Sequence, residues 1–433
     1  MGQSAAQKII ARAAGRDRVS PGEYVDVVPD YTCCQEISWQ ARKAIMERAG
    51  VAKMARPERS VMVVDHTTSA AMGTPYFVAH KEMKEFAQSN GAHFFGAGVG
   101  LRHLVLTENG FAQPGSLIFS DEPNIASIGV VGALNVPVSS EVVVTQLMDR
   151  NWMLVPRPVR INLEGRLPSG VLARDLVQKI ICDFALTDTL TQACVEFAGS
   201  AIRHLSLDER ETILACIYHA GADTALMPVD ALALQYARVR SGNPELAPVE
   251  ADADAEYEFE ATYDLSALAP MVTEPPELHL VRPVGELPEI RIDQAAIGSC
   301  AGCRLDDMRA AAEILKGRKV APNVTFYITP GSREVFAACA SEGLIEIFME
   351  AGATVLAPGC TTCWGYEGYL NPGELQISTH QMNYHGRNGS RESRSYLAGP
   401  YVVAASAVAG EIVDPRPFLT GSNSQTAREP ERA

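Results

Sequence analysis

Two Cys-x-x-Cys pairs stand 56 residues apart in this chain. Cys300 and Cys303 lie in GSCAGCR (298–304), and Cys360 and Cys363 lie in APGCTTCWG (357–365). Three readings fit the thiols. Four thiolates close a structural zinc site, although this interval is longer than in a compact zinc ribbon. Unpaired cysteines are also frequent residents of apolar cores. Finally, three thiolates hold an iron–sulfur cluster and leave one iron open to substrate. A second candidate is Asp65-His66, which ends the run SVMVVDH (60–66). A carboxylate beside an imidazole fixes its tautomer and stabilises its charged form. An ordinary pair at a strand end has the same sequence.

Strand-like and helix-like patterns alternate around these residues. KAIMERAG (43–50) and YFVAHKEMKEFAQSNG (76–91) predict helices. SVMVVDH and AHFFGAGVG (92–100) predict strands with loops. The rhythm returns with a helix at DDMRAAAEILKG (306–317), a strand and loop at NVTFYITPGS (323–332), one helix over 334–352 and a strand at TVLAPG (354–359). Such alternation predicts parallel sheets covered by helices, with ligands at the carboxyl ends of strands. Both cysteine motifs follow strand-like runs, EIRIDQAAIG and TVLAPG, which puts them at such ends.

The 433 residues exceed one simple core. The formal net charge of −15 argues against nucleic acid as the main partner, while a locally positive pocket still accepts a small anion. The first residues lack the apolar core of a signal peptide, and Ala6 breaks a myristoylation pattern. No apolar run reaches the length of a membrane span, so a cytoplasmic protein is expected. YVVAASAVAGEIV (401–413) is too short for one. Residues 239–289 are acidic and rich in proline, which predicts a connection between domains with short ordered pieces.

Nine motifs in order then resemble the aconitase family, and within it the large subunit of the isopropylmalate dehydratase type. They are VVDH (63–66), FGAGVGLRH (95–103), VEFAG (195–199), ERETI (209–213), GSC (298–300), TPGSREV (329–335), PGCTTCWG (358–365), GRNGS (386–390) and GPYVVAASAVAGEIVDPRP (399–417). The resemblance implies an α/β fold of three domains, with mostly parallel sheets around a central [4Fe–4S] cluster. The expected divisions are 1–155, 156–283 and 284–417, with a disordered tail over 418–433. The resemblance also implies that the family's mobile swivel domain is not expected in this chain. A separate small subunit is expected to supply it.

By the same resemblance, the cluster ligands fall on Cys300, Cys360 and Cys363. Cys303 stands where the family has no thiol, and reads as a spare thiol or a fourth ligand that would close the open iron. Asp65, His66 and His103 match family catalytic residues. Gln35 and Ser299 match substrate contacts, with Cys33-Cys34 as unusual neighbours. Elsewhere the sequence departs from the pattern. Where the family has Asp-Ser-His-Thr, this chain has Glu122-Pro123-Asn124-Ile125. Glu122 keeps the carboxylate, and the Ser and His are gone. His219 replaces a Glu and Ala215 an Asn. The family's Asn-Arg-Asn-Phe-x-Gly-Arg becomes Gln381-Met382-Asn383-Tyr384-His385-Gly386-Arg387, so Asn383 and Arg387 remain while Met382 replaces an Arg. Arg suits carboxylate, and Met offers only an apolar wall.

These departures cluster around one pocket and imply altered specificity. The expectation is a hydro-lyase, with isomerisation by dehydration and rehydration within its reach. Its substrate is a small hydroxy carboxylic acid with fewer carboxylates than usual, bound in part by Gln381, Met382 and Asn383. Other readings are cluster chemistry on sulfur or another leaving group, and an RNA-binding iron–sulfur sensor, which the acidic balance opposes.

Overall fold

The computed structural model describes residues 2–69 and 73–419. The first sheet holds five parallel strands in the spatial order His93–Phe95, Ser60–Val63, Tyr31–Gln35, Leu117–Ser120, Leu134–Pro137. The chain starts in the middle, winds out through Ser60–Val63 to His93–Phe95, then crosses to the other side. The crossover leaves a crevice between the carboxyl ends of Tyr31–Gln35 and Leu117–Ser120, where ligands bind in such sheets. Gln35 and Glu122 stand at its two lips.

The third sheet repeats that winding without repeating the sequence. Its parallel strands run Thr354–Val355, Thr325–Ile328, Gln294–Ile297, Leu375–Ser378, Arg394–Ala398. The reversal again flanks the first strand, Gln294–Ile297. Ser299 and Cys300 leave its carboxyl end, Cys360 and Cys363 follow Thr354–Val355, and residues 379–387 follow Leu375–Ser378. Between these two sheets in chain order comes a four-stranded parallel one, ordered Thr224–Leu226, Ala193–Ala198, Arg157–Glu164, Phe259–Asp264. A two-stranded ribbon pairs Tyr24–Val27 with Asn151–Leu154.

The acidic connection contains the ordered pieces that its sequence predicts. Phe259–Asp264 extends the second sheet, while Met271–Thr273 and Val281–Pro283 form the antiparallel edge of the third. The small-residue run near 401 is a helix, Pro400–Ala409, buried almost throughout against Leu305–Leu315 and Gln294–Ile297. One expectation is corrected: residues 334–352 form two helices, Arg333–Ser341 and Leu344–Ala351. Gly343 between them sits at φ 72°, a left-handed conformation that a helix interior cannot contain. Of the expected tail, residues 420–433 lie outside the described residues. Phe418 packs under the Arg318 guanidinium, 5.7 Å from its ring centre. Among the described residues, no helix is long and apolar enough to cross a membrane.

Apolar residues of the first and second sheets join in one continuous core, which also takes in all four paired cysteines. Gly129 allows that contact. It lies in the 3-10 helix Pro123–Val131, whose backbone touches Thr224–Leu226, and a Cβ there would sit 2.2 Å from the Ala225 carbonyl oxygen. Backbone cannot give way as a flexible side chain does. Gly129→Ala should therefore lower stability by about 1–3 kcal/mol, read as a lower urea midpoint, and should loosen Asn124 in the same helix.

Candidate active site

Six charged residues of the first crevice form one network. His66 Nδ1 lies 2.7 Å from Asp65 Oδ1, and its Nε2 lies 3.2 Å from Glu122 Oε1. Arg102 donates to Glu122 and to Asp121, and its backbone N–H donates to Asp65 Oδ2 at 2.9 Å. Arg42 joins Asp121 at 2.9 Å. The Gln35 backbone N–H donates to Asp121 Oδ2 at 2.9 Å, and its side-chain amide reaches Glu122 Oε1 at 3.4 Å. The turn carrying Asp65-His66 is itself held by the buried Glu36 carboxylate. That group accepts the backbone N–H of Asp65, His66 and Thr67, and the Thr67 hydroxyl at 2.8 Å.

Burial alone would favour the neutral form of each group, but the neighbours reverse this. Burial works against the His66 charge, yet Glu122 and Asp65 raise its pKa well above the ordinary imidazole value. Burial would raise the Asp65 and Glu122 carboxyls, but Arg102 and His66 hold both below the usual carboxylate range. His66 is thus an imidazolium clasped by two carboxylates. His103 is the opposite case. Its burial, with Arg304 and Arg102 nearby, lowers it well below the usual value, so it is neutral. Its Nε2 is buried without a hydrogen-bond partner.

The thiols meet this network. The Cys360 backbone N–H donates to the Asp65 carbonyl at 2.7 Å, which ties the third sheet to the first. A hydrogen bond from Cys360 holds the Cys363 thiol well below its ordinary value, against its burial and with the help of Arg387. After its burial, Cys300 carries the fields of Glu122, Cys303 and Cys363, and Cys360 carries first its hydrogen bond with Cys363 and then, after burial, the field of Cys300. Cys303 lies beside Cys300 and also packs toward the third sheet's loop. A Cβ on Gly331 would meet its sulfur at 2.5 Å and Leu104 at 2.6 Å, and its charged neighbours are Arg304, Asp307 and Glu211.

The donor set favours a polynuclear group over a single ion. One zinc with sulfurs about 2.3 Å away needs those sulfurs about 3.8 Å apart. The sulfurs of Cys300, Cys360 and Cys363 are not all within 4.8 Å of one another. Among the described residues, only Glu36, Asp65 and His66 have ligand atoms that close, and Glu36 already spends its oxygens on backbone N–H groups. Among the described residues, Gln35 Oε1, His103 Nε2, Asn124 Oδ1 and Ser299 Oγ are buried without regular hydrogen-bond partners. Buried polar atoms are rarely left so, and several together mark a place that a ligand completes.

The opposite wall is less uniform. His219 Nε2 lies 3.0 Å from Gln381 Oε1, and the Gln381 amide donates to the Ala215 carbonyl at 3.2 Å. Burial, with Arg174 nearby, lowers His219 to about 3, so it is a neutral imidazole. It follows the helix Leu207–Cys216, within a 3-10 turn that ends at Gly221. Asn383 donates to the Glu274 carbonyl at 2.9 Å and is buried, while Met382 is partly exposed. Arg387 donates to the Cys363 carbonyl at 2.8 Å, approaches its sulfur at 3.4 Å, and lies over the Trp364 ring at 4.8 Å. Cys33 and Cys34 point into apolar cores on the two faces of their strand. They add no thiol to the site.

Several residues here escaped the sequence reading. Arg102 was legible only as a lone cation in the apolar run VGLRHLVL, which needs buried carboxylates nearby. Asp65, Asp121 and Glu122 meet that need, while Arg42 pairs with Asp121 and Glu36 holds the Asp65 turn. Tyr218 feels Cys300, Glu122 and Cys363 after its own burial and stacks on His219 at 3.8 Å. His380, which the sequence places near Met382, lies 2.9 Å from Thr362 Oγ1 through its Nε2.

Residues 7–410 match the family model described as Aconitase family (aconitate hydratase). The chain is 36% identical over 422 residues to 3-isopropylmalate dehydratase large subunit 1 of Methanopyrus kandleri, over 97% of this chain and 100% of that one. The large subunit from Elusimicrobium minutum is 35% identical, with coverage of 97% and 100%. Large subunit 1 from Pyrococcus furiosus is 35% identical, with coverage of 96% and 98%. The solved holo-form of Thermococcus kodakaraensis aconitase X aligns with a TM-score of 0.48 at 13% identity, over 87% of this chain and 89% of that one.

The neutral state of His219 carries a pH signature. In the fold it takes a proton near pH 3, and in the unfolded chain near 6.5. Between these values the unfolded state holds the extra proton, so acidification removes stability. In His219→Gln this loss is absent. The difference in urea midpoint between variant and wild type should move in the variant's favour from pH 7 to pH 4. A difference that stays flat over that range would show that His219 is charged in the fold.

Proposed function

Because the chain belongs to the aconitase family of hydro-lyases, we propose that it is the cofactor-bearing large subunit of a two-subunit enzyme. It adds or removes water on a small hydroxy carboxylic acid. The observation that carries this reading is the meeting of three thiols with the His66 network and four unpartnered buried polar atoms. In this reading, Cys300, Cys360 and Cys363 hold a [4Fe–4S] cluster. When bound, it supplies a Lewis-acidic iron that has no protein ligand.

The chain's own residues divide the remaining work. His66 carries a proton at Nε2, facing Glu122, and gives it to a hydroxyl that departs as water. Asp65 and Glu122 hold the two ring nitrogens of the imidazolium, and Arg102 holds those carboxylates. When the reaction runs backward, the neutral Nε2 of His66 takes a proton from the incoming water, and Glu122 stabilises the imidazolium that forms. His103, neutral and unpartnered at Nε2, orients the oxygen. Gln35 and the outer nitrogens of Arg387 bind one carboxylate. Ser299, beside Cys363, together with Gln381 and Asn383, lines the far side.

Met382 favours a substrate whose second end is apolar or uncharged. A dicarboxylate would leave an anion there without a guanidinium, at a desolvation cost of several kcal/mol. The named relatives are large subunits, which implies a small subunit for this chain too. The base that takes the carbon-bound proton then comes from that partner.

The cysteine series tests the cofactor. After anaerobic reconstitution, Cys300→Ser, Cys360→Ser and Cys363→Ser should each lose most iron and acid-labile sulfide, while Cys303→Ser should keep both. A Cys303→Ser protein that loses them would make Cys303 a fourth ligand and remove the open iron. The purified chain should show no turnover on small hydroxy acids until a swivel-type subunit is added. Turnover by the chain alone would refute the two-subunit assignment.

A further inference from the structure

Asn124 joins the acid–base network to the thiols through one side chain. It is the second residue of the 3-10 helix Pro123–Val131 and is buried. Its Nδ2 lies 2.9 Å from Cys300 Sγ, 176 residues away in sequence. The same amide lies beside the Glu122 carboxylate and favours its ionised form. Its Oδ1 is buried without a partner. The orientation of this amide follows from chemistry. Turned the other way, its oxygen would face a thiolate and a carboxylate, two anions, and the N–H2 group would lose both acceptors.

We infer that Asn124 is the hydrogen-bond donor that sets the electron affinity of the cluster at its Cys300 corner. This rests on the proposed cluster assignment. An electron added to an iron–sulfur cluster spreads over its sulfurs and makes the ligand thiolates better acceptors. A donor N–H therefore stabilises the reduced form more than the oxidised form and raises the potential. Of the three proposed ligands, Cys363 receives a guanidinium at 3.4 Å and Cys300 receives this amide at 2.9 Å. Arg387 also packs on Trp364 and holds the Cys363 carbonyl, so its removal would disturb the loop itself. Asn124 is the donor that can be removed with its own helix intact. The resembling family has His at this place, a residue that also offers an N–H. Asn thus preserves the donor while it changes the ring to a smaller amide, with a free acceptor on its other side. Asn124 is a positioning residue here: it acts through the Cys300 sulfur.

The experiment uses the full chain, reconstituted anaerobically with ferrous iron and sulfide. Wild type, Asn124→Leu, Asn124→Ser and Asn124→His are poised at the wild-type midpoint potential, and the reduced fraction is read by electron paramagnetic resonance. Iron and sulfide contents are measured on the same samples. Loss of the donor in Asn124→Leu should cut the reduced-to-oxidised ratio about three- to tenfold, where tenfold corresponds to 59 mV for one electron. Asn124→His should restore most of it. If Asn124→Leu does not fold, the pair Asn124→Ser and Asn124→His carries the test, with Ser below His. Equal ratios in Leu and wild type at equal iron content overturn this inference and leave the cluster assignment standing. So do equal ratios in Ser and His when Leu fails to fold. A wild-type chain that assembles no cluster overturns both.

Discussion

The guanidinium of Arg102 is 1% exposed and sits among Asp65, Asp121 and Glu122. Removing such a charge from water costs several kcal/mol, which the surroundings recover only if every partner arrives in register. Here the partners come from two different strand ends. Asp65 follows Ser60–Val63, and Asp121 and Glu122 follow Leu117–Ser120. Arg102 opens the helix Arg102–Glu108. The cation therefore fixes the crevice at the reversal of the first sheet. Through the Asp65 carbonyl it also fixes Cys360, because that carbonyl accepts the Cys360 N–H. Glu36 does the same from behind, since its carboxylate holds three successive N–H groups of the Asp65 turn. A change at any of these residues would move the thiols as well as the acid–base pair.

Environment alone separates the histidines of the site. His66 lies between two carboxylates and is charged. His103, His219 and His380 are buried near guanidinium groups and are neutral. One residue type is thus charged at one position and uncharged at three, according to its neighbours. The neutral rings coexist with Arg174, Arg304 and Arg387, which line the side of the third sheet. The protein has a formal charge of −15, but its interior is arranged as alternating small fields of either sign. That is the form of local positivity which an acidic protein needs to take an anion.

Periodicity made the alternating elements legible, and resemblance made most site positions legible. The apolar run at 60–63 reads as a strand, and Asp65-His66 as the polar residues at its end, because a parallel strand buried on both faces shows no alternation. Gly343 was harder. A glycine inside an apolar pattern is tolerated in many helices, and only its φ of 72° reveals the break. The repeated winding of the first and third sheets left no mark in the sequence, since strand order depends on crossovers and not on residue type. Arg102, Asn124 and Tyr218 escaped for a related reason. Their roles depend on partners far along the chain, such as Cys300 for Asn124, and no local pattern encodes such a meeting. Cys303 is the reverse case. Its spacing from Cys300 leaves it a spare thiol or a fourth ligand, and in the fold it lies near both Cys300 and the Gly331 backbone.

The order of the two windings along the chain has a consequence for biosynthesis. Residues 35–124 emerge early from the ribosome, and a domain made first folds first. The thiols at 300, 360 and 363 emerge much later, from a sheet that needs Arg394–Ala398 to close. A nascent chain thus displays a finished cradle of charge long before it owns a complete set of sulfurs. Under the proposed assignment, the thiols that would hold a cluster come together only after the last third of the polypeptide has left the exit tunnel.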